Sequence, residues 1–526
     1  MRKVLLSLVL FWCAVASITS CCAAAPIPKI REPGVAGTFY PQDAKELAAT
    51  VDGFIAQAQV GPPNGEIVAL IAPHAGYQFS GRIAAYSYAL LRGKTFHRVV
   101  VIAPSHYEAF DFASVYDGDE YETPLGKIPV DTAFVRKLAS LSPRIKLSAR
   151  GHEPAEGHAE HALEVQLPFL QRSLTDFVLV PVVMGDQSYE ASRALGVALA
   201  QLTTGTDTLI VASSDLSHFH PYDEATKLDG KTLNAIHEWD YLALSKNFQT
   251  RTWEACGGAP IVAAMIAAER LGAHRADILK YANSGDVTAD RNRVVGYGAV
   301  ALLRATGHEI GGTREFNLGS REKKALLDLA RRSVETAVKE RKLLQIPGDL
   351  PEALNQDRGA FVTLHKGGEL RGCIGYVTPR QSLAWTVRDV AVFAALEDPR
   401  FSPVESAELP QLTYEISVLS PMRRMMDVKQ IKVGQHGLLI RNAGREGLLL
   451  PQVAVEQSWD RNTLLQETAL KAGLPADAWR DPDSDIFMFT AQVFGDAGPA
   501  AATSGDSLWP KPSNRPEELR QGLPHQ

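Results

Sequence analysis

The sequence predicts an α/β protein with a mainly parallel central sheet, followed by a smaller α+β domain. Three apolar, β-branched runs at 67–71, 99–102 and 209–211 are typical of buried strands. Stretches with helix-spaced apolar residues alternate with these runs along the chain, at 80–92, 161–172, 189–202 and 261–271. Strands that alternate with helices favour a layered α/β fold around a parallel sheet.

The order of elements changes in the last two fifths of the chain. A helical pattern over 322–342 is followed by short strand patterns at 360–364, 412–419 and 438–440, which Gly-Gly and Ser-Pro turns separate. The domain organisation that we predict is therefore a first domain over 26–305, a linker over 306–320, a second domain over 321–495 and a disordered tail over 496–526.

Composition limits the classes of protein that this chain can be. Its 526 residues are enough for two or more domains, and its 45% hydrophobic and 22% charged content is ordinary for globular proteins. Lys and Arg number 54 against 60 Asp and Glu, which gives a formal net charge of -6. Because nucleic-acid binding usually leaves a broad basic surface, no nucleic-acid partner is expected.

The first 25 residues are predicted to be an export signal. A short basic start over 1–3 precedes an apolar stretch over 4–18, which is too short for a membrane-spanning helix. The sequence Ile-Thr-Ser-Cys that ends at Cys21 resembles a bacterial lipobox, so Cys21 is the predicted lipidation site; three alanines at 23–25 offer a rival cleavage site. We expect an exported lipoprotein of the cell envelope, held at the membrane through its lipid alone. Soluble secretion and an uncleaved anchor are the alternatives.

Three histidine-bearing turns carry the strongest chemical signal. His74, His106 and His218 each follow closely on one of the predicted strands, and Asp215 shares the turn of His218. Open α/β sheets bind their ligands at the carboxyl ends of the strands, so these side chains are expected to meet at one edge of the sheet. One such histidine alone would more simply hydrogen-bond the backbone. Several together favour a metal site.

Cys256 extends this pattern. The two glycines that follow it allow close approach of the backbone, and Pro260 marks a helix start that is predicted to lower the thiol pKa. Imidazole and thiolate ligands together suit iron, copper or zinc. Cys256 and Cys373 fall in different predicted domains, so no disulfide is expected between them; a small buried hydrophobe is the alternative role of each.

Segments throughout the first domain resemble the Memo family, relatives of the class III extradiol non-heme iron dioxygenases. The matching segments are 40–41 (Tyr-Pro), 72–77 (Ala-Pro-His-Ala-Gly-Tyr), 103–106 (Ala-Pro-Ser-His), 123–126 (Thr-Pro-Leu-Gly), 160–164, 213–218 and 256–257. The resemblance implies a dioxygenase-like domain in which His74, His106 and Cys256 ligate the metal. The cysteine stands where the dioxygenase relatives have a carboxylate.

The same resemblance places Asp215 and His218 in the metal pocket. His218 would be the general acid or base, because the ordinary pKa of histidine lies near neutrality. Asp215 would orient His218 or hold a metal-bound water, with a helix N-cap as the alternative. Iron or copper is the expected ion, since sulfur stabilises reduced copper and imidazole suits both metals.

Histidines and glutamates also crowd residues 152–164. A second metal site is one interpretation, and a solvated helix face is another. Because His161 and Glu164 match family positions, they are also candidates for the edge of the first pocket. Tyr77 and Tyr107 are candidate pocket walls.

The second domain carries a compact motif of its own. Arg371 and Cys373 lie among glycines in 370–375, and this segment, with 358–364, 398–401 (Asp-Pro-Arg-Phe) and 447–452 (Gly-Leu-Leu-Leu-Pro-Gln), resembles the AMMECR family. That resemblance does not by itself define a reaction. We predict a strand-to-turn junction at which Cys373 is either a nucleophile, its thiolate favoured by Arg371, or part of a structural turn or small-ligand cradle. The lack of a histidine partner for Cys373 favours the second interpretation.

These expectations converge on a metal-dependent oxidoreductase with iron or copper and an unknown small-molecule or protein substrate. A non-catalytic metal-binding or ligand-binding scaffold is the main alternative, and metal-assisted hydrolysis is a weaker one. Fusion of the two domains resembles systems that include a radical S-adenosylmethionine protein, which implies a functional link to such a protein. The chain has no three closely spaced cysteines for that chemistry, and an export signal conflicts with a cytoplasmic partner.

Overall fold

The computed structural model describes residues 28–155, 157–305, 317–348 and 350–496. The predicted signal peptide with Cys21, most of the linker (306–316) and nearly all of the predicted tail (497–526) therefore lie outside the described residues. Among the residues described, no helix has both the length and the apolar character needed to cross a membrane.

The first domain alternates strands and helices, as the sequence predicts. Its helices are α1 (Ala44–Gln57), α2 (Tyr77–Ala89), α3 (Thr132–Ser140), α4 (Leu167–Ser173), α5 (Tyr189–Thr203), α6 (Tyr222–His237), α7 (Tyr241–Gln249), α8 (Gly258–Arg270) and α9 (Gly285–Thr288). Its strands are β1 (Ile30–Arg31), β2 (Glu66–Ala72), β3 (Arg98–Pro104), β4 (Ala113–Val115), β5 (Glu120–Thr123), β6 (Gly126–Pro129), β7 (Ile145–Leu147), β8 (Val178–Met184), β9 (Thr208–Ser213), β10 (His218–His220), β11 (Arg275–Asn283) and β12 (Val294–Arg304).

A large sheet with the order β10-β12-β2-β9-β3-β8-β4-β7 forms the centre of this domain, and β11 pairs with β12 beside it. The four middle strands β2, β9, β3 and β8 run parallel, while β12 and β4 flank them in the antiparallel sense. These middle strands are almost wholly buried, because helices cover both faces of the sheet. Helix α8 packs against β9 and β3 and carries α5 on its outer side, whereas α2 packs against β2 and β12. The predicted α/β class is confirmed.

The second domain is a smaller α+β unit, also as predicted. Its helices are α10 (Ser320–Glu340), α11 (Leu383–Leu396), α12 (Pro451–Glu456) and α13 (Arg461–Lys471). Its strands are β13 (Ala360–Lys366), β14 (Glu369–Tyr376), β15 (Leu412–Leu419), β16 (Arg423–Arg424), β17 (Gly437–Asn442), β18 (Arg445–Leu449), β19 (Asp485–Phe489) and β20 (Ala491–Gly495). They form two sheets, β14-β13-β15-β20 and β16-β19-β17-β18. Helices α10 and α11 pack together beside the first sheet, and α13 packs against the second.

Asp496, the first residue of the predicted tail, is hydrogen-bonded to the second domain. The carboxylate of Asp496 accepts hydrogen bonds from Arg331 (2.6 Å) and from the backbone N–H of Tyr414 (3.0 Å), and its own N–H donates to the Tyr414 carbonyl. Asp496 thus continues the pairing of β20 with β15 by one residue. Composition alone does not predict these hydrogen bonds, because they join Asp496 to Tyr414 of β15, 82 residues earlier in the chain.

A buried ion pair attaches the amino-terminal segment to the first domain. Arg31 and Glu164 are almost fully buried and hydrogen-bonded to each other, and Glu164 also accepts from the Tyr40 hydroxyl and from the N–H groups of Gly34 and Val35. Glu164 thus orders the segment 31–40 rather than lining a pocket. Buried charges require such a full set of partners.

Replacing Glu164 by alanine is predicted to lower the free energy of unfolding by about 3–5 kcal/mol, because Arg31 would keep a buried charge without its counter-ion. Urea denaturation followed by tryptophan fluorescence measures the change. The matched control is Asp52→Ala, which breaks the exposed pair with Arg172 and should cost less than about 1 kcal/mol. Equal costs for the two variants would contradict this account.

Candidate metal centre

Strand order brings the predicted turns to one edge of the sheet. Strand β9 lies between β2 and β3, and its Ala212 pairs in register with both Ile71 and Ile102. Since all three strands run in the same direction, the residues that follow them emerge side by side. His74, His106 and Asp215 are those residues, which explains why positions far apart in sequence are neighbours here.

Cys256 reaches this edge from the loop before α8. Its Sγ lies 3.0 Å from Nε2 of His74, and one ligand atom each from His74, His106 and Cys256 lie within 4.8 Å of one another. The approach requires a glycine next in the chain, because a Cβ at Gly257 would stand 2.2 Å from the Ser213 carbonyl oxygen. The predicted ligand trio is thus brought together by the fold.

The hydrogen bonds around His74 determine which ring nitrogen carries its proton. The Ser213 hydroxyl donates its one hydrogen to the Ala162 carbonyl (2.6 Å) and accepts from the Gln166 amide (2.8 Å). It must therefore also accept from Nδ1 of His74, 2.9 Å away. With the proton on Nδ1, the Nε2 lone pair of His74 is directed toward Cys256 and is free for a metal.

His106 is bound at the same ring nitrogen, Nδ1, by a carboxylate. Its Nδ1 lies 2.9 Å from Oε1 of Glu160, and its backbone N–H donates to the other oxygen at 2.6 Å. Burial alone would raise the pKa of Glu160, but the hydrogen bonds from His106 and from the N–H of Ala162 lower it below the ordinary value. Glu160 is therefore an ionised acceptor for the Nδ1 proton of His106, and Nε2 is the ring nitrogen that remains for a metal. Such carboxylate–histidine pairs are typical supports of metal ligands.

His218 adds a third imidazole of this kind. It lies on β10, which pairs with β12 next to β2, and its Nδ1 lies 2.9 Å from the Leu216 carbonyl oxygen. A carbonyl can only accept, so Nδ1 carries the proton and Nε2 has the lone pair. Burial lowers the pKa of His218, so the ring is neutral near pH 7. A neutral imidazole with a free Nε2 can accept a proton, as the predicted base requires.

Asp215 does not orient His218, and that part of the prediction is wrong. Its Oδ1 accepts the backbone N–H groups of His74 (2.7 Å) and Ala75 (3.3 Å), so it shapes the turn that presents His74. Burial raises the pKa of Asp215 to about 7, although these two hydrogen bonds oppose the shift. The carboxylate thus positions the turn of His74, and the group that binds Nδ1 of His218 is the Leu216 carbonyl.

The expected low pKa of the Cys256 thiol is also wrong. Burial raises its pKa well above the ordinary value, and the nearby Asp215 carboxylate adds to the effect. The helix begins two residues later, at Gly258, so its amino terminus does not overcome the loss of solvent. The backbone N–H of Asp215 does donate to Sγ at 3.3 Å, a contact that would support a metal-bound thiolate.

His161 and Glu160 edge this pocket. The His161 ring stacks on His106 (centroids 4.7 Å) and meets His74 edge-on (5.4 Å). His106, Glu160 and His161 form a second potential ligand trio, but Glu160 already accepts four hydrogen bonds, from His106, His161 and Ala162. A carboxylate so fully engaged favours a supporting role over a second metal site.

Of the two tyrosines considered as walls, Tyr107 lies at the pocket and Tyr77 does not. Tyr107 is 47% exposed and stacks against His158 beside the His106 ring. Tyr77 is buried, and its hydroxyl donates to the Val165 carbonyl at 2.7 Å.

The sequence did not predict that Ser213, Gln166 and the Leu216 carbonyl would hydrogen-bond around the histidines of this site. The motif around Ser213 was visible in the sequence, whereas Gln166 lies on a short 3-10 helix with no local signal.

The Arg371–Cys373 motif makes contacts that stabilise the second domain. It lies within strand β14 and not at a strand-to-turn junction. Arg371 forms a two-point ion pair with Glu408, with Nε–Oε1 and Nη2–Oε2 distances of 3.0 Å. Burial raises the pKa of Cys373, so the predicted thiolate favoured by Arg371 is wrong.

Packing explains the rest of this motif. A Cβ at Gly372 would lie 2.0 Å from the Ala394 carbonyl oxygen, so the glycine allows α11 to pack directly on the strand. The carboxylate of Asp398 accepts the Cys373 N–H at 2.8 Å, and Arg400 bonds both Asp398 and the Cys373 carbonyl. These contacts link the 370–375 and 398–401 segments. They favour the structural interpretation over a nucleophile.

Comparison with known proteins agrees with this architecture. A family model described as Memo-like protein matches residues 31–301, which is just over half of the chain, and a model described as AMMECR1 matches 327–494. The chain therefore belongs to the Memo-like family and carries an AMMECR1 domain in tandem. Membership indicates a class III extradiol dioxygenase-like fold for the first domain.

Stand-alone relatives match the first domain along their whole length. A MEMO1 family protein of Methanobrevibacter smithii is 37% identical over 280 residues, which is 51% of this chain and 98% of that protein. One from Aeropyrum pernix is 39% identical over 286 residues, covering 52% of this chain and 100% of its own length. Among solved structures, the chain is also similar to the crystal structure of an uncharacterized protein, PH0010 from Pyrococcus horikoshii, at 39% identity and a TM-score of 0.34, in a shorter match that covers 35% of this chain and 95% of that one.

Replacing Ser213 by alanine is predicted to weaken the metal affinity of this site by about tenfold or more, because His74 loses the acceptor that fixes its tautomer and ring orientation. Competition with a chromophoric chelator under anaerobic conditions measures the affinity. Ser87→Ala is the matched control, since it removes another buried hydroxyl, one that donates to the Ile71 carbonyl. Unchanged affinity in Ser213→Ala at native stability would refute the proposed link between hydrogen bonding and ligation.

Proposed function

We propose that the first domain is a metal-dependent oxidoreductase that uses iron or copper. The observation that supports this proposal is the convergence of His74, His106 and Cys256 at the carboxyl edge of the sheet, with one ligand atom of each within 4.8 Å of the others. Two nitrogens and one sulfur suit iron, copper or zinc, and lack the oxygen donors that magnesium or calcium requires. Among the suited ions, iron and copper support redox chemistry.

The protonation states support the same proposal. Burial, reinforced by the neighbouring His106, His161 and His218, lowers the pKa of His74 well below its ordinary value, so this ring is neutral and able to ligate. His106 and His218 also have Nδ1 bonded to the protein and Nε2 available. Binding at Cys256 would displace the thiol proton, as metal ligation by cysteine does generally.

Bound iron or copper would supply electron exchange with O2 or with a substrate. His74 and His106 would hold the ion through Nε2, and Cys256 through Sγ. His218 would exchange a proton with the reacting molecule at its Nε2, since Leu216 retains the Nδ1 proton. Asp215 would keep the His74 turn in place through its two backbone contacts. Three protein ligands leave further coordination positions open, as catalytic sites require.

His218→Ala is predicted to keep the metal but to lower metal-dependent O2 consumption by about 100-fold, the usual minimum contribution of a general acid or base. The assay uses an oxygen electrode, anaerobically loaded protein and ascorbate as the reductant. His237→Ala is the control, because that histidine bonds the Ala276 carbonyl at the far end of α6. We expect its activity to match that of the unaltered protein.

The same assay separates the proposal from its main alternative. Near-stoichiometric iron or copper without any O2 consumption above that of free metal would contradict the oxidoreductase proposal. That result would support a metal-binding scaffold in which the pocket retains its ligands and has no redox turnover.

A further inference from the structure

The two domains meet across a charged contact centred on one buried carboxylate. Asp485 begins β19 of the second domain and is 2% exposed. Its carboxylate accepts from Nε of Arg193 (2.5 Å) and the hydroxyl of Tyr189 (3.1 Å) on α5, and from Nη2 of Arg270 (3.1 Å) on α8. Three donors from the first domain therefore bind this carboxylate of the second domain, so Asp485 contributes directly to the contact between the domains.

Apolar side chains surround this carboxylate. Phe487 and Phe489 of β19, with Leu419, Met422 and Leu439, are buried within the same hydrophobic cluster as the core of the first domain. The Phe487 ring meets Tyr241 of α7 edge-on, with centroids 5.8 Å apart. Burial of aromatic residues across a boundary is typical of permanent interfaces, whereas transient ones are more polar.

Polar contacts extend the interface well beyond Asp485. Arg358 forms a two-point ion pair with Glu238, just after α6, at 2.8 and 2.7 Å. Lys231 of α6 pairs with Asp357 at 3.0 Å, and the Asn247 amide donates to the Pro379 carbonyl at 2.8 Å. Arg441 of β17 reaches Glu190 of α5 at 2.9 Å. The second domain is thus attached along α5, α6, α7 and α8 at once.

Separation of the domains would expose this entire surface to water. Phe487 and Tyr189 would lose their apolar surroundings, and Asp485 would lose its three cross-domain donors. Such exposure is unfavourable, because apolar surface would pass from a buried environment into water. Relatives that match this chain over 98% and 100% of their own length consist of the first domain alone, which supports a first domain that can fold without the second. The contact is therefore an association of two complete folds.

We propose that the AMMECR1 domain is a permanently docked partner of the Memo-like domain, bound through the Asp485 interface and not held by the linker. The partner that this surface of α5 and α8 fits is an AMMECR1-type fold that presents an acidic residue at the start of a strand followed by aromatic residues. Docking of the two domains requires neither the metal nor any redox activity.

Cutting the chain tests the proposal. A specific protease site inserted between residues 306 and 316 is cleaved in the folded, full-length protein, and the product is analysed by size-exclusion chromatography and native mass spectrometry at micromolar concentration. We expect a 1:1 complex of the two fragments with the elution volume of the uncut protein. Fragments that elute separately would overturn the proposal.

Charge reversal then tests the role of Asp485. Asp485→Lys, which places a cation among Arg193, Arg270 and Arg424, should make the cut protein separate into fragments. Asp477→Lys is the matched control, since it makes the same charge change at an exposed position of the same domain and should leave the complex intact. A cut Asp485→Lys protein that stays together would contradict the assignment. If Asp485→Lys does not fold, Arg193→Glu makes the equivalent reversal from the first domain, with the same two outcomes.

Discussion

The parallel pairing of β9 with both β2 and β3 is the constraint on which the candidate site depends. Ala212 of β9 pairs with Ile71 of β2 and with Ile102 of β3. Asp215, His74 and His106 follow these three residues, respectively, by three or four positions. A shift of one residue in this register would turn every side chain of the strand to the opposite face. Because these strands are buried on both faces, such a shift would force every core side chain to repack, and this close packing fixes the register and so positions the site.

Three different acceptors bind the same ring nitrogen, Nδ1, in the three histidines of the site. The Ser213 hydroxyl, the Glu160 carboxylate and the Leu216 carbonyl each bind Nδ1 of a histidine, so that Nε2 is the ring nitrogen that remains for a metal or a proton. The thiol of Cys256 is different, because burial raises its pKa. The imidazoles thus present a ring nitrogen before any ion arrives, whereas the sulfur keeps its proton, which an ion bound as proposed would displace.

The sequence predicted the parts of the molecule that local pattern determines. Apolar runs predicted the central strands, and the turns after them predicted His74 and His106 at one edge of the sheet. Cys256 was predicted as their neighbour, but the low pKa predicted for its thiol is wrong, because burial by distant residues outweighs the nearby helix start. Gln166 and the Asp485 interface could not be predicted, since each depends on contacts between segments that no local motif relates. Gly372 was interpreted as part of a possible ligand cradle, but it allows a helix to pack closely on the strand. Both functions require a glycine, so the sequence does not distinguish them.

Metal analysis of protein purified without oxygen tests the central claim most directly. The protein is loaded with ferrous iron or reduced copper, desalted, and analysed for metal per chain beside Cys256→Ala and the matched cysteine variant Cys373→Ala. The account predicts near-stoichiometric metal in the unaltered protein and in Cys373→Ala, with loss in Cys256→Ala at equal stability. Metal-free unaltered protein, or equal binding in all three, would contradict a metal centre formed by His74, His106 and Cys256.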